Sequence, residues 1–395
     1  MTVPAPRYRR PRVVLASAAV GVIGLALCGL GATVDPRQAA FSYLAAFSAW
    51  LSVALGALLM VMIAHLSGAS WFVVLRRSAE TAAATLPLFA LLFIPLLFVL
   101  PELYPWARPP ATLDEHLREA LAAKGTYFER EFFVARAAAY FVVWTATALL
   151  LRRWSVRRDA DPADPAPVRR QRALAALGLP PVAFALTWAS FDWVMSLAPE
   201  WVSTVFGVYW FVGGFVAALG LFAVLAFVLR RDGVLAEALT ESHVHALGKL
   251  TLTFVIFWGY IAYAQYFIIW IADIPAEAGW YLPRVTGPWR PVALLLVIGH
   301  FAIPFAALLS WRLKRSPRAL AAVGAWLLVM HCVDAYWLVL PALHPRTAIP
   351  HWLDLAAFAG VGGVALALWA MGMSRGAAAP VGDPLWESGL EYATR

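Results

Sequence analysis

The sequence predicts an all-α polytopic membrane protein with ten transmembrane helices, and three observations carry that prediction. Of 395 residues, 62% are hydrophobic and 14% charged, with a mean hydropathy of +0.72. That is more apolar surface than a water-soluble core could enclose among so few charges. The apolar residues gather in runs of about 20, the length a helix needs to cross ~30 Å of hydrocarbon. None of the runs alternates with the two-residue period of a barrel strand, and all are too long for one, so helices satisfy the backbone in lipid here.

The runs fall at 13–33, 41–66, 81–100, 131–151, 173–197, 204–229, 249–271, 290–311, 318–340 and 351–373. The first is longer than a signal h-region and lacks a small-residue cleavage site, which predicts a retained helix. Pro87, Pro95, Pro180, Pro181 and Pro304 are expected to bend or break spans three, five and eight. The outer segment 101–130 contains TLDEHLREALAAKG, where Thr112 and Glu115 read as a capping box and Gly125 as a stop, so it is expected to form a short surface helix. The inner segment 152–172, rich in Arg, Asp and Pro, is expected to be a flexible charged linker without a fold of its own. In span six, Gly213 with Ala217 and Gly214 with Ala218 allow close helix approach.

Short connections make sequential helices antiparallel neighbours. Spans two to five and six to nine each start on the outer side and hold four helices, which suggests two four-helix bundles related by a parallel repeat. The expected division is residues 1–40, an N-terminal segment with a peripheral first helix; 41–197, the first bundle with the outer amphipathic segment 101–130; 198–340, the second bundle; and 341–395, the last helix and a cytoplasmic tail.

The net charge of +8 and pI near 9.7 have a topological cause rather than a nucleic-acid partner. With the amino terminus inside, 22 of the 31 Lys and Arg lie on inner segments, eight lie outside, and Arg136 lies within a span. The inner set includes Arg7, Arg76, Arg77, the clusters of 152–172, Arg230, Arg231, Lys249, RLKRSPR at 312–318, Arg375 and Arg395. This positive-inside bias places both termini in the cytoplasm. The two cysteines, Cys28 and Cys332, fall within spans and show no disulfide or zinc spacing. A C-x-x-C-H haem attachment is missing too, so any c-type haem belongs to another subunit.

Ionisable groups inside spans are costly, at least ~2.5–3.5 kcal/mol at a helix centre, and each therefore requires a partner, water or a function. Depth counting separates them into two levels. The outer half holds Arg136, Asp192, Gln265, His300, His331 and Asp334; near the inner face lie His65, His243, His245 and Lys249. His331 and Asp334, three apart on one face, are placed so that the carboxylate can hold the imidazole tautomer. His300 and His331, at similar depth, admit an interhelical contact, a proton relay or quinol-site pair, or axial ligation of a b-type haem. Asp192, ringed by Phe191, Trp193 and Trp188, reads either as a carboxylate reaching interfacial water or as a proton acceptor, with Arg136 as its partner. In 254–270, Phe254, Trp258, Ile261 and Gln265 share one face and Tyr260, Tyr263 and Phe267 another. Besides ordinary packing, Trp258, Tyr263 and Gln265 suit a slot for a flat ring such as a quinone head group.

FDWVMSLAPEWVSTVFGVYWFVGG (191–214) and HALGKLTLTFVIFWGYIAYAQYFIIWIADIPAE (245–277) resemble the second quinone-binding-type membrane subunit of bacterial alternative complex III, a quinol:cytochrome c oxidoreductase. The resemblance implies a relative of the NrfD and polysulfide-reductase membrane subunits in the bacterial inner membrane. Its implied partners are an iron–sulfur subunit, periplasmic multihaem and monohaem cytochromes c, and a second related ten-helix subunit. No covalent cofactor is implied; the ligand would be a quinone such as menaquinol. The matching polar positions are Asp192, His245, Lys249, Gln265 and Asp273. Ala246 and Glu200 depart from the pattern, standing where Asp and His are expected.

The expected function is thus quinol interaction, proton conduction or both, as an integral subunit of a respiratory quinol oxidoreductase. Asp192, His300, His331 and Asp334 would form an outer proton-exit cluster, and His245 and Lys249 an inner mouth. The rivals are a structural membrane anchor without its own chemistry and a secondary transporter with a midplane substrate site.

Overall fold

A computed structural model describes residues 7–393; Arg395, counted above among the inner basic residues, lies outside them. Among the described residues ten helical stretches are long and apolar enough to cross a membrane: Pro11–Val34, Pro36–Ser67, Ser70–Phe98, Arg130–Ala160, Ala166–Leu197, Phe206–Arg231, Glu241–Ala272, Gly287–Leu309, Pro317–Ala342 and Trp352–Ser374. They are called spans one to ten in that order. Sheet pairing among the described residues is confined to one isolated bridge, Arg7 to Ala377. The chain is a multi-pass, all-helical protein.

Spans two and six form the enclosed centre, with most of their residues buried. Span two packs against spans three, five, six, nine and ten, and span six against two, five, seven and nine. Lipid gives helices no hydrophobic reason to associate, so small residues that let backbones meet decide where they cross. A Cβ on Gly56 of span two would lie 2.8 Å from the Gly214 carbonyl oxygen of span six, and one on Gly214 would lie 2.6 Å from Ser52 Cβ. Gly214 was legible as a contact residue; its partner was not. Spans one and ten use the same device, Gly21 and Gly24 meeting Gly360 and Gly363, and they pair along the outside of the molecule.

The prolines act unequally. Span three breaks at Ala84 and Thr85, just before Pro87, while Pro95 sits inside its second helix, Leu86–Phe98. Span five stays one helix, Ala166–Trp193, straight through Pro180 and Pro181. Span eight passes through a π-helical segment, Leu296–Ala302, immediately before Pro304. Proline lacks an N–H and crowds the preceding turn, so the ladder widens there. The carbonyl of Gly299 in this segment accepts a hydrogen bond from Trp326 Nε1 of span nine at 2.6 Å.

Three sequence expectations are corrected. The capping box at Thr112 is absent: the surface helix is Glu115–Ala122, and Asp114 accepts from Leu117 N at 2.8 Å, while the Thr112 hydroxyl donates to Pro109 O. Asp114 is a stronger cap two residues further along the chain than sequence spacing suggested. The segment 152–172 is not a flexible linker, because span four continues to Ala160 and span five begins at Ala166. Arg76 and Arg77 lie in no inner loop but in the buried helix Val73–Ala83.

The last two corrections share one cause. Arg76 and Arg158, both fully buried, bind the carboxylate of Asp383 in the segment that follows span ten. Arg77 pairs with Asp159 at 2.6 Å and lies 3.4 Å from Glu80, and Arg158 donates to Gln171 Oε1 at 2.8 Å. Charges that read as solvated in isolation are mutually neutralised once the C-terminal segment folds back over them.

Candidate functional site

The polar residues inside the membrane resolve into two separate clusters. Asp192 lies near the end of span five. Arg136 of span four reaches it with a fork, Nε to Oδ2 and Nη2 to Oδ1, each at 2.9 Å. Tyr127 donates to Oδ1 at 2.7 Å and Tyr140 to Oδ2 at 2.8 Å. The guanidinium also stacks over the Tyr127 ring at 4.1 Å and donates to its carbonyl. Tyr127 stands outside the spans, and burial together with the neighbouring carboxylate pushes its phenol above the ordinary value, so it remains a donor. The aromatic ring around Asp192 is present, but four donors aim at its two oxygens. That is the coordination of a structural clamp, and it answers the cost of both charges at once.

The second cluster lies between spans two, six, seven, eight and nine. Asp334 of span nine is buried and accepts from Tyr209 OH of span six at 2.5 Å. His331, one turn earlier, bonds through Nε2 with Ser52 Oγ of span two at 2.8 Å. The two side chains face the same bare glycine: a Cβ on Gly213 would lie 3.4 Å from Asp334 Oδ2 and 3.5 Å from His331 Nδ1. Asp334 does not hold the His331 tautomer as the three-residue spacing suggested, because His331 Nδ1 has no hydrogen-bond partner. Both side chains lean on distant spans instead.

His300 sits in the π-helical segment, where the widened turn carries it inward. Its ring packs on Trp258 of span seven with centroids 4.1 Å apart, and both of its nitrogens are buried without a partner. His300 and His331 share no hydrogen bond. With Trp258 over one face of His300 and Nε2 of His331 already bonded to Ser52, the pair is not arranged as free axial ligands. Gln265 Oε1 also lacks a partner, while the indole N–H of Trp258 is aimed at the Asp334 carboxylate. Buried polar atoms are nearly always bonded in native proteins, so orphans on spans seven, eight and nine make this cluster the candidate site.

Two expectations about these clusters need correction. Asp192 does not join His300, His331 and Asp334: among the described residues no hydrogen bond, ion pair or ring contact links the two sets. Tyr263 does not share a slot with Trp258 and Gln265. It is 63% exposed and stacks on Phe267 on the outward face of span seven, whereas Trp258 and Gln265 are buried.

Near the opposite membrane face, His245 is buried with its ring 6.4 Å from that of Trp311, and Lys249 one turn on is exposed. His243 is fixed by the capping box of span seven and by Gly389 O at 2.9 Å. His65 is buried with Nε2 unpartnered. Asp273 ends span seven in the left-handed conformation at φ 48°, a role its side chain tolerates better than most.

Sequence reasoning missed Ser52, Tyr209 and Arg284. Arg284, in the helix Pro275–Val285 between spans seven and eight, is buried over the Trp280 ring at 3.8 Å and donates to the carbonyls of Trp280 and Leu338. Burial pushes its guanidinium below the ordinary value. Tyr281 beside it lies within reach of both Arg284 and Gln265, which connects the outer connection to the second cluster. Compared with known proteins, the sequence matches no family model and no curated protein.

Proposed function

We propose that this chain is a membrane subunit of a respiratory quinol-oxidising complex in the bacterial inner membrane, with its quinol and proton chemistry at the second cluster. Spans two to five and six to nine are read as two four-helix bundles flanked by spans one and ten, with both termini cytoplasmic. The observation that supports the reading is the set of orphaned, buried polar atoms on Gln265, His300 and His331, beside Trp258 and the carboxylate of Asp334 and at a π-helical distortion. A flat ring with two hydroxyls matches that set in shape and in hydrogen-bonding capacity.

A quinol supplies two protons and two electrons; the electrons would pass to iron–sulfur and haem centres in partner subunits. The chain's own residues handle the rest. His300 is the free base closest to the Trp258 ring face, and Asp334, held by Tyr209, is the carboxylate that takes a proton onward. Tyr281 and Gln265 extend the polar line toward Arg284 and the outer surface. His245 and Lys249 are kept as the inner mouth. The saturated contacts of Asp192 favour a structural role for that residue and an anchoring role for its side of the molecule.

The test is made in the assembled complex. Asp334→Asn and His300→Leu should lower quinol oxidation by about 10²-fold or more while assembly and haem content stay unchanged. Wild-type rates of oxidation and proton release in both variants would remove the chemistry from this cluster and leave the anchor reading. Substrate uptake by vesicles holding the isolated chain would favour the transporter instead.

A further inference from the structure

Away from both clusters, a cleft of about 740 Å³ opens between the pair formed by spans one and ten and the core of spans two and six. Its walls are almost wholly apolar, with Val20, Val53, Phe89, Leu225, Phe358 and Leu366 among them. The polar groups deep in the cleft are already satisfied: Trp50 Nε1 donates to Phe358 O at 2.9 Å, the Thr85 hydroxyl to Ala82 O, and the Ser17 hydroxyl to Val13 O. Nothing inside asks for a hydrogen bond, so a quinone ring or other polar head would lose its water there without compensation.

The mouth is different. It lies at the end of span six, where Arg231 and Asp232 line the rim and Tyr8 packs on Trp369. Asp232 is shared by Arg10 at 3.1 Å and Arg231 at 3.5 Å, so one carboxylate meets two guanidinium groups and the rim keeps a net positive charge; Arg231 is 64% exposed, and Arg9 and Arg12 are exposed on the neighbouring turn of the chain. From Asp232 to Leu221 the cleft runs along eleven residues of span six, about 16 Å at ~1.5 Å per residue. That is about half of a ~30 Å hydrocarbon core, or one leaflet.

We propose that this cleft is a binding site for one anionic phospholipid, its acyl chain held between spans one, ten, two and six and its phosphate at Arg231. An apolar slot one leaflet deep, dry inside and basic at the rim, has the shape and charge of such a lipid and of no polar metabolite. The lipid would complete the contact between the outer pair and the core, which the protein alone leaves open.

The full-length chain is reconstituted in phosphatidylcholine vesicles containing a minority of phosphatidylglycerol, extracted gently, and weighed by native mass spectrometry. One retained phosphatidylglycerol is expected, enriched about tenfold over its share of the vesicle. Arg231→Glu, at an exposed position that leaves the fold intact, should abolish the enrichment. Val224→Phe and Ala16→Phe, which fill the cleft from opposite walls, should each lose the retained lipid. The proposal is overturned by a wild-type chain that retains no lipid, or that retains phosphatidylcholine without preference or an isoprenoid quinone in its place. Enrichment that survives Arg231→Glu, or retention unchanged in both filled variants, overturns it as well.

Discussion

Asp192 and Arg136 show at the scale of single residues how two charges survive in a membrane. Each is costly alone, and the bidentate fork with two phenols offsets both costs. Arg136→Met leaves the carboxylate buried without its cation and should destabilise the protein by about 3–5 kcal/mol, seen as an earlier thermal unfolding transition. Replacing both residues by apolar ones of similar size should restore most of that loss. A cycle in which the double variant is no better than the single would mean the pair is not coupled. That Asp192, His300, His331 and Asp334 are polar residues within spans was legible in the sequence, and so was the candidate partner Arg136; the burial of Arg76, Arg77 and Arg158 was not. Illegible were Ser52 and Tyr209, small or aromatic side chains on distant spans whose approach to His331 and Asp334 is created only by the helix crossing. Arg284 was counted as an outer surface charge because nothing local reveals that Trp280 and the end of span nine cover it.

Among the elements, the same proline rule gave three outcomes: a break, an uninterrupted helix and a π-helical turn. The difference lies in what neighbouring spans offer to the freed carbonyls, as Trp326 does for Gly299. The segment after span ten follows the same logic. It was expected to be a plain tail, yet Asp383 inserts between Arg76 and Arg158, Leu385 N donates back to Asp383, and Gly389 O receives His243. This strap joins span three and the ends of spans four and seven. Asp383→Ala would leave two guanidinium groups buried without their carboxylate. It should cost about 3–5 kcal/mol and make the chain beyond Arg375 open to protease from its exposed face. Unchanged unfolding and unchanged proteolysis would show that the strap holds nothing. Charge composition marked 152–172 as polar, but only the docking of Asp159, Arg158 and Gln171 makes it helical to its ends.

For the molecule as a whole, the number and order of spans were read correctly from hydropathy, since length and apolarity are properties of the sequence alone. Their lateral arrangement was not, because lipid-facing and helix-facing positions are equally apolar. The basic residues predict which side each end faces, and this is testable. In intact cells, cysteines placed at Arg9 and Glu387 should resist a membrane-impermeant maleimide, and one at Ala111 should react. Labelling in the reverse pattern would invert the topology and move the second cluster to the cytoplasmic half. The glycine seam between spans one and ten has a bearing on how such a protein is made. Eight other spans lie between these two in the chain, so span one cannot make this seam until span ten has been synthesised. The seam therefore closes only after the eight intervening spans, and a chain truncated before span ten would carry an undocked span one that quality-control proteases can recognise.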